Sequence, residues 1–269
     1  MSLSEGNLRG THFRSAGEGP PLVLVHGVGA DLEMWTPLAA LLSRHRRVVT
    51  YDMQGHGESA APPGPYSLAD FVRQLRRLAE DMELSRFDLA GFSMGGLVAQ
   101  GFALEHPGSV NRLILVNTVY DRSTAERQAV LARVEEARSG GYLAGVEAAI
   151  ERWFTPAFRT VRPELIEPIR RRMMTNDKAA YVAAYAVFAT ADEALAPQLG
   201  RIEAPTLVIT GMEDQRSTPA MAQRMAAILP RARLQLFPGQ RHMTPIEAPD
   251  RMAAVIDEFL GAPDAERQG

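Results

Sequence analysis

Three residues in this chain have the types that carbonyl chemistry needs: Ser93, Asp214 and His242. Ser93 lies in "GFSMG", residues 91–95, which fits G-x-S-x-G. The pattern has a steric origin. A serine on a very sharp strand-to-helix turn takes a strained backbone conformation, and its Oγ is pushed out above the sheet. The residues two before and two after then approach closely, so Gly91 and Gly95 suit those positions. The helix that follows points free N–H groups at the same spot, where negative charge is favoured.

A serine hydroxyl needs a base to take its proton, and the base needs an acid to orient it. His242 follows the last predicted strand, in "FPGQRHMTPIEAPD", just before the final helix. Asp214 follows another, in "LVITGMEDQRSTP". Glu213 and Asp121 are rival acids, and His56 is a rival base. His12 reads as a surface residue, and His45 and His106 as helix-end residues. Charge developing on a substrate oxygen would need two backbone donors. Met94 N–H, next to the nucleophile, is one. Val28 N–H, in the loop His26–Gly29, is the other.

These residues need elements to hold them. Short apolar runs at Leu22–His26, Val48–Tyr51, Phe87–Ala90, Leu113–Asn117, Thr206–Thr210 and Leu234–Phe237 read as buried strands. Amphipathic helices are predicted between them, around Leu32–His45, Leu68–Leu84, Leu97–His106, Met221–Leu229 and Pro249–Leu260. Such alternation predicts an α/β fold, a mostly parallel sheet flanked by helices. Between Asn117 and Thr206 the rhythm changes to helices alone: Ser123–Arg138, Leu143–Phe154, Pro163–Thr175 and Lys178–Ala191. This reads as a helical cap over the ligand edge of the sheet. The expected organisation is core 1–118, cap 119–198 and core 199–269. The tail "GAPDAERQG" is expected to fray.

Composition bounds the rest. The 269 residues are 46% hydrophobic and 23% charged, enough for a large core without staples. A net charge of −3 gives no reason to expect nucleic acid or an anionic membrane as partner. There is no cysteine, which removes disulfides, thiol catalysis and thiolate metal sites. No signal-peptide pattern opens the chain, and no apolar run reaches membrane-spanning length. A cytoplasmic protein with a small-molecule substrate is expected, and homo-oligomerisation is compatible with the sequence. Gly27-x-Gly29 with Asp52 is half of a dinucleotide fingerprint, but Leu32 stands where the third glycine belongs. "GHGES" at 55–59 reads as a tight loop. No Walker lysine and no histidine pair with metal spacing occurs. Neither cofactor nor metal is expected.

The motifs "HGVG" at 26–29, "DMQGHGES" at 52–59, "GFSMGG" at 91–96, "GMED" at 211–214 and the His242 loop together resemble the α/β-hydrolase superfamily. The chain order Ser93, Asp214, His242 is the order that fold uses. "GADLEMW" at 29–35, "HPGSVNRLILVNT" at 106–118 and "RWFTPAFR" at 152–159 resemble bacterial 3-oxoadipate enol-lactonases and their relatives. That family often carries a serine where Gly27 stands and an arginine where Gln54 stands. The resemblance implies triad roles for Ser93, Asp214 and His242, and a substrate-lining role for Trp153. It implies hydrolysis of a small ester or lactone through an acyl-enzyme. Hydrolysis of C–C or amide bonds in ring-fission products is one alternative. A ligand receptor with slow turnover is another. Arg152, Arg159 and Arg170–Arg172 are candidates to pair with a substrate carboxylate. Met173, Met174 and Phe188 read as core.

Overall fold

The computed structural model describes residues 3–261, and the expected fraying of the tail concerns residues that lie almost wholly outside them. Eight strands form one sheet in the order β1-β2-β4-β3-β5-β6-β7-β8. They are β1 Leu3–Leu8, β2 Thr11–Ala16, β3 Pro21–Val25, β4 Arg47–Tyr51, β5 Phe87–Phe92, β6 Val110–Val116, β7 Thr206–Gly211 and β8 Ala232–Phe237. β1, β2 and β4 pair antiparallel, and β4, β3, β5, β6, β7 and β8 pair parallel. The fold is therefore the expected α/β-hydrolase arrangement.

Central strands are near-continuous apolar runs because both faces of a parallel sheet are covered. Side chains alternate between faces, so Leu22 and Leu24 enter one core and Val23 and Val25 the other. The first core packs Leu22 and Leu24 against α1 (Thr36–Leu42) and α11 (Pro249–Gly261). The second packs Val23 and Val25 against α2 (Leu68–Asp81) and α3 (Met94–Glu105). α3 is buried from Met94 to Ala103, which is why it is apolar all round.

Between β6 and β7 the chain runs through α4 (Thr124–Glu136), α5 (Tyr142–Trp153), α6 (Pro156–Val161), α7 (Pro163–Thr175) and α8 (Lys178–Leu195). The remaining helices are α9 (Pro219–Ile228) and the single turn α10 (Thr244–Glu247). α6 was not expected from sequence. Neither was the β1–β2 hairpin. It corrects the reading of His12 as a surface residue: His12 is buried on β2, with Nδ1 2.8 Å from Asp52 Oδ2 and Nε2 3.0 Å from Glu5 Oε1. Met174 is also corrected, because it is half exposed on α7 rather than core. No helix of the described residues is long and apolar enough to cross a membrane.

β3 is where strand order reverses: β4 lies on one side of it and β5 on the other. The carboxyl ends of strands at such a reversal open a crevice for ligands. The loop after β3 carries His26–Gly29, and the turn after β5 carries Ser93.

Candidate active site

Ser93 sits between β5 and α3 with φ 53° and ψ −114°, a conformation that ordinary residues avoid. The surrounding glycines make this turn possible. A Cβ on Gly91 would lie 2.2 Å from Gly95 O, and one on Gly95 would lie 2.2 Å from Val25 O. Gly96 makes room for the side chain of Thr118, 2.5 Å from its virtual Cβ. Thr118 Oγ1 in turn donates to Ser93 O at 2.7 Å, tying the turn to the end of β6.

Asp214 lies in the loop after β7 and is almost fully buried. Its Oδ1 accepts the N–H groups of Arg216 (2.9 Å) and Ser217 (3.0 Å). Its Oδ2 lies 2.6 Å from His242 Nδ1 and accepts Asn117 Nδ2–H at 2.9 Å. Burial alone would push this carboxyl up. The charge and hydrogen bond of His242, then the Asn117 bond, more than offset it and hold the pKa below the usual carboxylate value.

His242 is held from the helical insertion as well as from the core. The N–H groups of His242 and Met243 both donate to Trp153 O, at 3.0 and 3.1 Å. Arg241 Nη1 donates to Glu151 O at 2.7 Å. Glu247 accepts from Thr155 N and Oγ1 at 2.7 and 2.9 Å. The imidazole packs 4.9 Å from the Phe92 ring and 6.0 Å from the Trp153 ring.

Ser93, His242, Val28 and Trp153 border one cavity of about 170 Å³ between the sheet edge and the inserted helices. Met94 is the first residue of α3, so its N–H has no acceptor within the helix. His26 fixes the loop that carries Val28. Its Nδ1–H donates to Gly27 O at 2.8 Å, and its Nε2 accepts Met53 N–H at 2.9 Å. Burial holds its pKa down, which keeps it neutral in this role.

The rival residues lie elsewhere. His56 packs edge-on to His26 with its Nδ1 3.1 Å from Gln54 O. Glu213 is exposed and 3.9 Å from Arg241, and Asp121 is exposed. Asp52, the residue of the dinucleotide reading, is occupied in holding loops. It accepts Leu32 N–H (2.8 Å) and Glu58 N–H (2.9 Å) besides meeting His12. Among the described residues no His, Asp and Glu cluster suits a metal ion.

Of the arginines singled out from sequence, Arg152 borders the cavity. Arg170 pairs with Glu147 and Glu167, Arg159 stands near Glu151, and Arg172 bonds Asn176. Sequence reasoning missed Arg133 and Arg216, which border the cavity beside Arg152. It also missed Tyr142 and Tyr181, whose rings pack together on the same wall. Phe188 and Met173 are both core and cavity wall. Arg152 is half-buried and meets no carboxylate among the described residues. Burial, then the charges of Arg133 and Arg216, lowers its pKa, though a guanidinium stays protonated.

The chain is similar to characterised proteins along almost its whole length. It is 33% identical to the (E)-2-((N-methylformamido)methylene)succinate hydrolase of Acinetobacter baylyi, over 96% of this chain and 97% of that one. It is 31% identical to 3-oxoadipate enol-lactonase 2 of the same organism, over 90% of this chain and 88% of that one. Among solved structures, the enol-lactonase of Burkholderia xenovorans superposes with a TM-score of 0.89 at 32% identity, covering 96% and 100% of the two chains. The profile described as alpha/beta hydrolase fold matches residues 20–249. With that profile spanning most of its length, the chain belongs to the α/β-hydrolase family.

Proposed function

We propose that this protein hydrolyses a small carboxylate-bearing ester or lactone, with Ser93 as nucleophile, His242 as base and Asp214 as orienting acid. The observation that carries this reading is the strained Ser93 turn opening on the cavity that also receives the Asp214-paired imidazole. Asp214 holds His242 Nδ1–H, so Nε2 is left to take the Ser93 proton. Oγ attacks the carbonyl carbon, and the oxygen takes the negative charge. Val28 N–H and Met94 N–H receive that charge. The tetrahedral intermediate collapses, the C–O bond breaks, and His242 protonates the leaving oxygen. Water, deprotonated by His242, then frees the acyl group from Ser93. No step requires a metal or cofactor.

The helices between β6 and β7 act as the cap, and Trp153 forms part of the substrate wall. Arg152, with Arg133 and Arg216 beside it, supplies positive charge for a substrate carboxylate. Two relatives are named for derivatives of succinate and 3-oxoadipate, both dicarboxylic acids, which agrees with such a pocket.

A fluorophosphonate should label Ser93, and Ser93→Ala should lower kcat on carboxylate-bearing lactones and esters by at least about 10⁴-fold. The panel should include ring-fission diketones, ranked by kcat/KM. Labelling at another residue, or an unchanged rate in Ser93→Ala, would remove the nucleophile assignment. A preference for the diketones would move the reading to C–C hydrolysis.

A further inference from the structure

Asn117 directly follows β6, fully buried, at φ 44°. Its backbone N–H is bonded to Ile209 O, so its position on the sheet is set independently of its side chain. Its Nδ2 donates to Asp214 Oδ2 at 2.9 Å, the same oxygen that meets His242 Nδ1 at 2.6 Å. It also donates to Arg241 O at 3.2 Å. The amide has only one sensible orientation, because Thr244 Oγ1–H donates to Asn117 Oδ1 at 2.7 Å. Thr244 is two residues beyond His242 and is itself fully buried. One side chain thus joins the acid loop after β7 to the histidine loop after β8.

We infer that Asn117, oriented by Thr244, is a positioning residue that sets how strongly Asp214 pulls on His242. The inference rests on the triad reading above. With Arg216 N–H and Ser217 N–H on Oδ1, and His242 and Asn117 on Oδ2, the carboxylate has four donors. Such a carboxylate cannot rotate without breaking several bonds. The Asn117 donor also shares the negative charge of Oδ2. Removing it leaves Oδ2 a stronger acceptor, which stabilises the imidazolium form of His242. The sign follows: without Asn117 the histidine titrates at higher pH, and the base form is lost earlier as pH falls.

The charged groups nearest the pair are few. Glu213 and Arg216 share the loop of Asp214, and Arg241 and Glu247 flank His242. Arg152 faces the cavity from α5. No side chain among these five hydrogen-bonds the Asp214 carboxylate.

The test is a histidine NMR titration of the intact protein, with the His242 resonance assigned by its loss in His242→Gln. Asn117→Ala should raise the His242 midpoint by about half to one pH unit. Asn117→Leu, close in size and without a donor, should raise it by a similar amount. Thr244→Val, which frees the amide to turn, should raise it less. The acid limb of kcat/KM should move by the same amount, with kcat lowered and KM little changed. A His242 midpoint that stays put in every variant that folds would overturn the inference, leaving Asn117 a packing residue. The titration needs no turnover. Failure of Ser93→Ala to lose activity would therefore be distinguishable from failure of the Asn117 effect.

Discussion

Ser93 shows how much one residue can demand of its neighbours. Its φ of 53° and ψ of −114° cost on the order of 1–3 kcal/mol, tolerated because β5, α3 and Thr118 over-determine the turn. Gly91→Ala would force a methyl group to within 2.2 Å of Gly95 O, and the backbone there has no room to yield. We expect a loss of about 3 kcal/mol or failure to fold, read from urea unfolding. A variant within 1 kcal/mol of wild type, on the order of an ordinary surface substitution, would show that the turn is softer than its geometry implies. Ser93, Asp214 and His242 were legible because each lies in a short local signal after a strand. Asn117 was not. It reads as the end of an apolar run, and its partners Asp214 and Thr244 are distant in sequence.

Among the elements, the inserted helices are held by a buried ionic cluster that no local pattern announces. Asp192 on α8 accepts Arg122 N–H at 2.9 Å, Arg122 Nη1 at 3.0 Å and Arg127 Nη1 at 2.9 Å. The Arg122 guanidinium also stacks 4.3 Å from the Phe188 ring, which borders the cavity. Asp192→Asn keeps the shape but leaves Arg122 buried against Arg127 without a counter-charge. Breaking such a pair costs about 3–5 kcal/mol. We expect a loss in this range in denaturant unfolding, with substrate KM raised more than kcat is lowered. A change below about 1 kcal/mol would mean that the cluster behaves like an exposed ion pair. Strands β3 to β7 were readable because both faces are covered and the runs are apolar, whereas the half-buried edge β8 showed only as the short run Leu234–Phe237. β1 was invisible because "LSEGNL" is a mostly exposed edge with no apolar run. α3 begins at Met94, three residues before its apolar pattern suggested, because Gly95 and Gly96 carry the turn into the helix.

At the scale of the whole molecule, the reversal of strand order at β3 brings the loop of His26 and the turn of Ser93 to one edge. The price of that crowding is a pair of buried imidazoles, His26 and His56. Burial, then the neighbouring His26, holds the His56 pKa down to about 3. The unfolded chain binds this proton near pH 6.5 and the folded chain only near pH 3. Stability is therefore complete above pH 6.5 and falls as pH drops through the window to 3, by about 1.4 kcal/mol per unit for this group. Asp31 has the opposite sign, since burial first, and then Asp52, raises it to about 6. Asp31 is common to wild type and His56→Gln, so it cancels in their difference. That difference in unfolding free energy should shift in favour of His56→Gln by about 1.4 kcal/mol per unit between pH 6 and 4. A constant difference across this range would place the acid sensitivity elsewhere.

The amino-acid sequence by itself determined the alternation of strands and helices, the serine turn and the order of the three candidate catalytic residues. Those properties leave local signals, because apolar runs and the close approach of Gly91 and Gly95 are written within a few residues. Only the tertiary structure decided which arginines face the cavity, since Arg133, Arg152 and Arg216 come from α4, α5 and the loop after β7. It also decided that Asp214 meets His242 and Asn117 rather than solvent. The physical reason is the same in each case. A side chain's partner is set by how layers pack, and layers bring together residues that the chain keeps far apart.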